Sequence, residues 1–192
     1  MERKTYSEKY GGRRTGEISF TAKEIEKLIS VCNTLEDEIF IKLEVAVGLR
    51  REDCAKIELN NCNLQESTIT FFEQKKQAIK TVPIPPALVR IMKQYIQTIP
   101  KNQKYLFRCG KSKYGGKTLY NKLQKLCKLA GVPARPVHAL RGSCAKLHLL
   151  ENWKVSDVAS LLGDRTATIE QFYTCPSDGE IRELMAKSEV VG

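Results

Sequence analysis

Apolar residues recur at helical spacing along most of this chain and give way to β-rich segments in one place only. Thr21-Ala22-Lys23-Glu24 can satisfy the orphan amides of a first turn with a Thr oxygen and a Glu carboxylate, and Ile25, Leu28 and Ile29 follow at helical intervals, so a helix is expected from there. Ile39, Phe40, Leu43 and Val47 form the stripe of a second helix over 36–47. Gly48 ends it and sets Leu49-Arg50 in a turn before a short helix at about 51–56. Thr68-Ile69-Thr70-Phe71-Phe72 and Thr81-Val82-Pro83-Ile84 flank the polar stretch 73–80 and predict a hairpin. Pro85-Pro86 closes it, and helices are expected over 87–97 and 117–130, the latter stopped by Gly131 and Pro133. Further helices are expected over 138–151, 155–162, in a short piece before Tyr173, and over 178–187, where Ile181, Leu184 and Met185 form a short stripe. The fold class is mainly α with a small antiparallel β-sheet (α+β).

The 192 residues suffice for one ordinary domain with a substantial core and are short for two. Arg3, Lys4, Lys9, Arg13 and Arg14 surround Gly11-Gly12, so 1–19 reads as a basic flexible arm or linker and 20–192 as the domain. A net charge of +10 points to a polyanionic partner more than to a fold. No run approaches the 18 apolar residues of a membrane span, and Met1-Glu2-Arg3-Lys4 does not open a signal peptide. Cysteines at 32, 54, 62, 109, 127, 144 and 175 form no CxxC pair, which argues against zinc and against a disulfide framework. They read as small hydrophobes in a reducing cytoplasm.

The chemistry concentrates in VHALRGSCAKLHLLEN and SLLGDRTATIEQFYT, which bring His138, Arg141 and Tyr173 into one C-terminal helical block, with Arg50 of VAVGLRRED about ninety residues earlier. A guanidinium offers a planar fork of donors that matches two phosphate oxygens. A phenol can act as a nucleophile once its surroundings help remove its proton. Two arginines, a histidine and a late tyrosine could hold a phosphodiester and attack it without a metal. Taken singly, each residue has a plainer role: a surface arginine, a capping histidine, a core tyrosine beside Phe172. Arg51 reads as an ordinary surface charge.

In order and spacing these segments resemble the catalytic domain of the tyrosine recombinases, the family of phage and archaeal-virus integrases and Xer-type resolvases, over roughly 20–190. VAVGLRRED resembles the family's first arginine box, FFEQKKQAIKTVPIP its lysine hairpin, HALRG its His-x-x-Arg box, and LLGDRTATIEQFYT the final box ending in the nucleophile. The resemblance implies that Arg50 and Arg141 clamp the scissile phosphate. It implies that Tyr173, nine residues after Asp164, attacks phosphorus to leave a 3′-phosphotyrosine. Counting back from Val82-Pro83-Ile84 places the lysine acid at Lys75, with Lys76 one residue away as the alternative and Lys80 as a contact to the DNA backbone. His138 is expected to bond the phosphate and help move the tyrosine proton. The chain departs from the family where Asp164 fills a position usually held by His or Trp; an aspartate would repel phosphate unless protonated or paired, for instance with Arg165, itself a candidate DNA contact.

These resemblances imply a site-specific recombinase acting on double-stranded DNA with attachment sites. It would need no metal, cofactor or ATP, and would self-associate on DNA in a tetrameric synapse within a prokaryotic or virus-infected cell. The family's N-terminal DNA-clamping domain has no counterpart in 1–19. Two other readings stay open: a type IB topoisomerase-like relaxing enzyme, and a catalytically silent DNA-binding module derived from an integrase.

Overall fold

A computed structural model of the chain describes residues 18–107, 116–174, 182, 185 and 186. The chain enters the core earlier than the first helical signal. Ile18, Ser19 and Phe20 are already buried, and the Phe20 amide donates to Ser143 Oγ at 2.7 Å. Helix α1 (Ala22–Ser30) then starts on the capping box read from the sequence, with Thr21 and Glu24 bonding each other's backbone amides. Helix α2 (Leu35–Val47) buries Ile39, Phe40, Ile41, Leu43 and Val47, an almost wholly apolar surface that only a central helix can hide. It packs between α4 (Pro86–Thr98) on one side and α6 (His138–Leu150) on the other. Burying each such side chain contributes about 1.5–3 kcal/mol, which makes α2 the spine of the fold.

Gly48 ends α2 with φ +64°, and any side chain there would be crowded out: a Cβ would lie 2.4 Å from Leu162 Cδ2 and 3.0 Å from Cys144 Sγ. This left-handed turn sets Arg50 at the N-cap of the short helix α3 (Arg51–Ala55). Arg51 is exposed and pairs with Glu52, as an ordinary surface charge does.

The sheet has three antiparallel strands in the order β1 (Cys62–Asn63), β2 (Thr68–Glu73), β3 (Ala78–Pro83). The two-residue β1, paired Cys62 to Ile69, is too short for a periodicity signal and was not expected. β2 and β3 pair from Thr68↔Pro83 to Glu73↔Ala78, so the hairpin is longer and its turn tighter than the sequence reading, with only 74–77 left in the turn. Ile69, Phe71 and Glu73 face inward while Phe72 and Ile79 stand exposed as a cross-strand pair on the outer face.

Helix α5 (Gly116–Ala130) packs on α1 and α3. Helices α6, α7 (Val155–Leu162) and α8 (Thr166–Phe172) enclose a small second core of Cys144, Ala145, Val158, Ala159, Leu162, Ile169 and Tyr173. Most of the arm 1–19, and Ile181 and Leu184 of the expected C-terminal helix, lie outside the described residues. Arg182, Met185 and Ala186 are helical and exposed. The five described cysteines are free, and no described helix is long and apolar enough to cross a membrane.

Candidate active site

Four segments far apart in sequence converge where α2 ends, the hairpin turns and α7 stops. Arg141 lies one turn inside α6 and is 2% exposed, an unusual depth for a guanidinium. Backbone carbonyls make this possible: Nη1 donates to Gly48 O at 2.5 Å and Nη2 to Leu162 O at 2.9 Å. Both carbonyls belong to turns with left-handed glycines, Gly48 and Gly163, so the two helix ends are shaped around the arginine. Nη2 also donates to Asp164 Oδ2 at 2.6 Å.

Asp164 is the hub of the site. Its other oxygen, Oδ1, accepts from Arg50 Nη2 at 3.0 Å, so one carboxylate bridges both arginines. The sequence suggested Arg165 as its partner. The fold instead turns Arg165 outward, exposed at the start of α8, and gives Asp164 to Arg50 and Arg141. Burial would raise the Asp164 pKa, but the charge and hydrogen bond of Arg141, with Arg50 and Lys75 behind them, hold it below the ordinary carboxylate value. For Arg141, the loss of hydration through burial is outweighed by Asp164, and its pKa rises.

Arg50 is half-buried and carries a second carboxylate that the sequence reading did not select. Its Nη1 donates to Glu73 Oε1 in a close ion pair. The signal was present: strand alternation puts Glu73 on the inward face after Ile69 and Phe71, where a charge demands a partner. Asp53, also missed, is 2% exposed and accepts the Gln74 amide at 3.1 Å on Oδ1. Burial raises its pKa against the pull of Gln74 and Arg50.

Lys75 and Lys76 both sit in the exposed turn, so neither is fixed on one face of a strand. The charge of Lys75 acts on both His138 and Asp164, which locates it at the rim of the site. Lys76 Nζ lies near Gly163, 3.2 Å from where a Cβ would stand. Lys80, read as a DNA-backbone contact, is engaged within the protein, with Nζ donating to Leu161 O at 2.6 Å and Ser160 O at 3.1 Å at the C-terminus of α7. Partial burial, and then the nearby cations Arg141, Lys76 and Arg50, lower its pKa against the pull of Glu73.

His138 opens α6 with its side chain exposed at the rim. Crowding by protein atoms, then the charges of Arg141, Arg50 and Lys75, push its pKa down to about 4, so the imidazole is neutral at pH 7. Tyr173 caps α8 and is 4% exposed, its ring packed in the second core. Its hydroxyl interacts with Arg141; burial and Asp164 raise the phenol pKa while Arg141 and Arg50 oppose them. Arg50, Lys75, His138, Arg141, Asp164 and Tyr173 thus surround one locus, and the crevice among Arg50, Glu73, Lys80 and Arg141 is only about 10 Å³. That is at most about one water, so a phosphate would be met at the open rim. A much larger cavity of about 860 Å³ lies elsewhere, between α4 and α5, where Glu36 and Asp37 already pair with Lys122. Among the described residues no cluster of His, Cys, Asp and Glu could hold a metal ion.

The phage integrase family profile matches residues 19–180. Tyrosine recombinase XerA of Pyrococcus horikoshii is 28% identical over 178 residues, covering 90% of this chain and 62% of that protein. Tyrosine recombinase XerD of Staphylococcus aureus is 30% identical over 161 residues, covering 79% of this chain and 54% of the relative. The chain thus spans less than two thirds of the length of these relatives. Among solved structures, the XerA recombinase superposes with a TM-score of 0.76 at 21% identity, over 88% of this chain and 62% of the other. XerH, bound to a palindromic difH substrate after cleavage, superposes with a TM-score of 0.70 at 19% identity, over 88% and 52%. At these identities the superpositions speak for the fold, the α-rich domain with its small sheet.

Proposed function

Because this chain belongs to the phage integrase family, we propose that it cleaves and rejoins DNA strands at specific sites through a covalent 3′-phosphotyrosine. The observation that supports this most is the bridging of Arg50 and Arg141 by Asp164, with the Tyr173 hydroxyl beside Arg141. Paired guanidiniums held at fixed spacing by a carboxylate suit a phosphorus centre, whose non-bridging oxygens gain charge as it becomes five-coordinate. Asp164 orients them, and Lys75 and Lys76 keep the rim positive.

In the cleavage step the Tyr173 oxygen bonds to phosphorus and the bond to the 5′-oxygen breaks. The phenol proton passes to the neutral His138 imidazole, directly or through water, and Lys75 gives a proton to the departing 5′-oxygen. The phosphodiester's energy is kept in the phosphotyrosine, so rejoining needs no ATP, and the cations do the work a metal would do. Residues 20–192, with Ile18 and Ser19 already packed against them, act as the catalytic domain, and the basic residues before Ile18 track the DNA backbone. Lys76 and Arg165 are the nearest further DNA contacts, and Lys80 serves the site from within. The partner is double-stranded DNA carrying recombination sites, on which copies of the protein assemble as a tetrameric synapse in the cytoplasm.

Incubation with DNA of its own genome in the presence of EDTA, followed by recovery of protein-linked fragments, tests this reading. Linked DNA should end at a recurrent sequence with a free 5′-hydroxyl on the other side of the break. Cleavage that returns only with added Mg²⁺, or no linked DNA at all, would contradict it. The inactive-module reading draws on one observation, the depth at which Tyr173 is buried. The same recovery experiment decides between the two.

A further inference from the structure

The lysine turn is moored on both limbs. On the outgoing limb, Glu73 is the last residue of β2, 3% exposed, and pairs with Arg50. The next residue, Gln74, donates its amide to the buried Asp53 on α3. Two successive residues immediately before Lys75 are therefore tied to the Arg50–Asp53 segment. On the returning limb, Lys80 is bound to the carbonyls that end α7. A Cβ placed on Gly163 would lie 3.0 Å from Lys80 Nζ, 3.2 Å from Lys76 Nζ and 3.4 Å from Glu73 Oε1, so both limbs close around the residue preceding Asp164. Between these ties, residues 75–79 are exposed, with Ala78 and Ile79 paired to β2 and Gln77 Nε2 donating to Gln74 O at 2.6 Å. The reach of Lys75 is set by its root, where the bond of the Gln74 amide to Asp53 is joined by an ion pair whose partner is the phosphate-binding candidate Arg50.

We propose that Glu73 is a positioning residue which, by holding Arg50, fixes the spacing between the phosphate-binding arginines and Lys75, so that a phosphate seated on Arg50 meets its proton donor at the departing 5′-oxygen. This rests on the strand-cleavage reading above. Glu73 touches neither phosphate nor leaving group; it acts through Arg50 and through the turn it anchors. Removing its charge leaves the turn attached by the Gln74 amide and by Lys80, so the fold persists while the ammonium loses its set distance. A reacting group misplaced by about 1 Å can cost on the order of a hundredfold in rate.

The test compares two substrates that differ in one atom, the 5′-bridging oxygen and a sulfur in its place. A thiol's ordinary pKa is about 8.5, so a thiolate departs without a proton, whereas an alkoxide needs one. Single-turnover cleavage is measured for the full chain, Lys75→Ala, Glu73→Gln and Glu73→Asp, with thermal unfolding of each. Lys75→Ala should be slow on oxygen and restored on sulfur. Glu73→Gln should lose about a hundredfold on oxygen and recover on sulfur. Glu73→Asp, which keeps the charge but shortens its reach, should show a smaller loss of the same kind and decides the matter if the Gln variant is unfolded. Equal losses on both substrates in a folded Glu73 variant, while Lys75→Ala is restored, would overturn the role of Glu73. Full oxygen activity in a folded Glu73 variant would overturn it as well. A Lys75→Ala enzyme not restored by sulfur, or a parent chain that cleaves neither substrate, would instead bring down the cleavage reading and this proposal with it.

Discussion

Arg141 Nη2 donates to Asp164 Oδ2 at 2.6 Å across 23 residues of sequence, in a setting where the arginine is 2% exposed. A guanidinium this deep depends on its counter-ion, because breaking a buried pair leaves an uncompensated charge. Asp164→Asn should therefore lower unfolding stability at pH 7 by about 3 kcal/mol. The sign with pH follows from its depressed pKa. The stabilisation is complete above the unfolded value of 3.8 and disappears as pH falls through the lower folded value. Urea titrations at pH 7 and pH 3 should show the gap between the two proteins narrowing in acid; a gap independent of pH would mean that Asp164 does not act as an anion.

Glu44, wholly buried on α2 behind the site, has the opposite sign. Burial lifts its pKa to about 8, against the Cys54 thiol and the charge of Arg141. Between the unfolded value of 4.5 and about 8 the folded chain holds a proton that the unfolded chain has released, so stability falls as pH rises through that window. Glu44→Gln keeps the shape without the ionisation, and its melting temperature should gain on the parent's from pH 5 to pH 8. A constant difference over that range would show that Glu44 does not titrate there.

The two arginines should separate in their effects. Arg50→Ala should reduce cleavage a hundred- to a thousandfold, or about 2.7–4 kcal/mol, with much less effect on DNA affinity. Arg141→Ala should match it in cleavage and also destabilise the fold, since Gly48 O, Leu162 O and Asp164 all lose their donor. Cleavage rates, binding isotherms and melting curves on the two variants check this. Losses in cleavage and affinity that match would make them ordinary backbone contacts.

With its pKa near 4, His138 is ready to accept a proton throughout the neutral range. The acid limb of kcat/KM for cleavage, which reports the free enzyme, should fall near pH 4 and show no inflection at the ordinary histidine value of 6.5. An inflection near 6.5 that vanishes in His138→Gln would show an imidazole free of its cationic neighbours.

What could be read from sequence was whatever local chemistry dictates. The Thr21–Glu24 capping box and the Gly48 stop follow from local chemistry and stand in the structure, and the hairpin expected around 73–80 is there with its turn confined to 74–77. Resemblance to the family's boxes singled out Arg50, His138, Arg141 and Tyr173, and the fold gathers all four. The ionic wiring was not legible. Asp164 has Arg165 as its chain neighbour, yet its partners lie 23 and 114 residues away, and only the packing of α6 and α7 against the end of α2 selects them. Glu73 left a trace, a carboxylate at an inward position of a strand, that periodicity alone does not connect to Arg50. Lys80 reads from sequence as a contact to the DNA backbone, and only the packed C-terminus of α7 supplies the acceptors it has within the protein.

Covalent capture at Tyr173 bears most directly on the whole account. A duplex nicked so that the cleaved strand's short 5′-hydroxyl fragment diffuses away should leave the protein joined to DNA, and peptide mass spectrometry should find the nucleotide on Tyr173. Tyr173→Phe, which removes one oxygen and leaves the second core packed, should bind the duplex and form no adduct. An adduct on another tyrosine, or one that persists in the phenylalanine variant, would contradict the account.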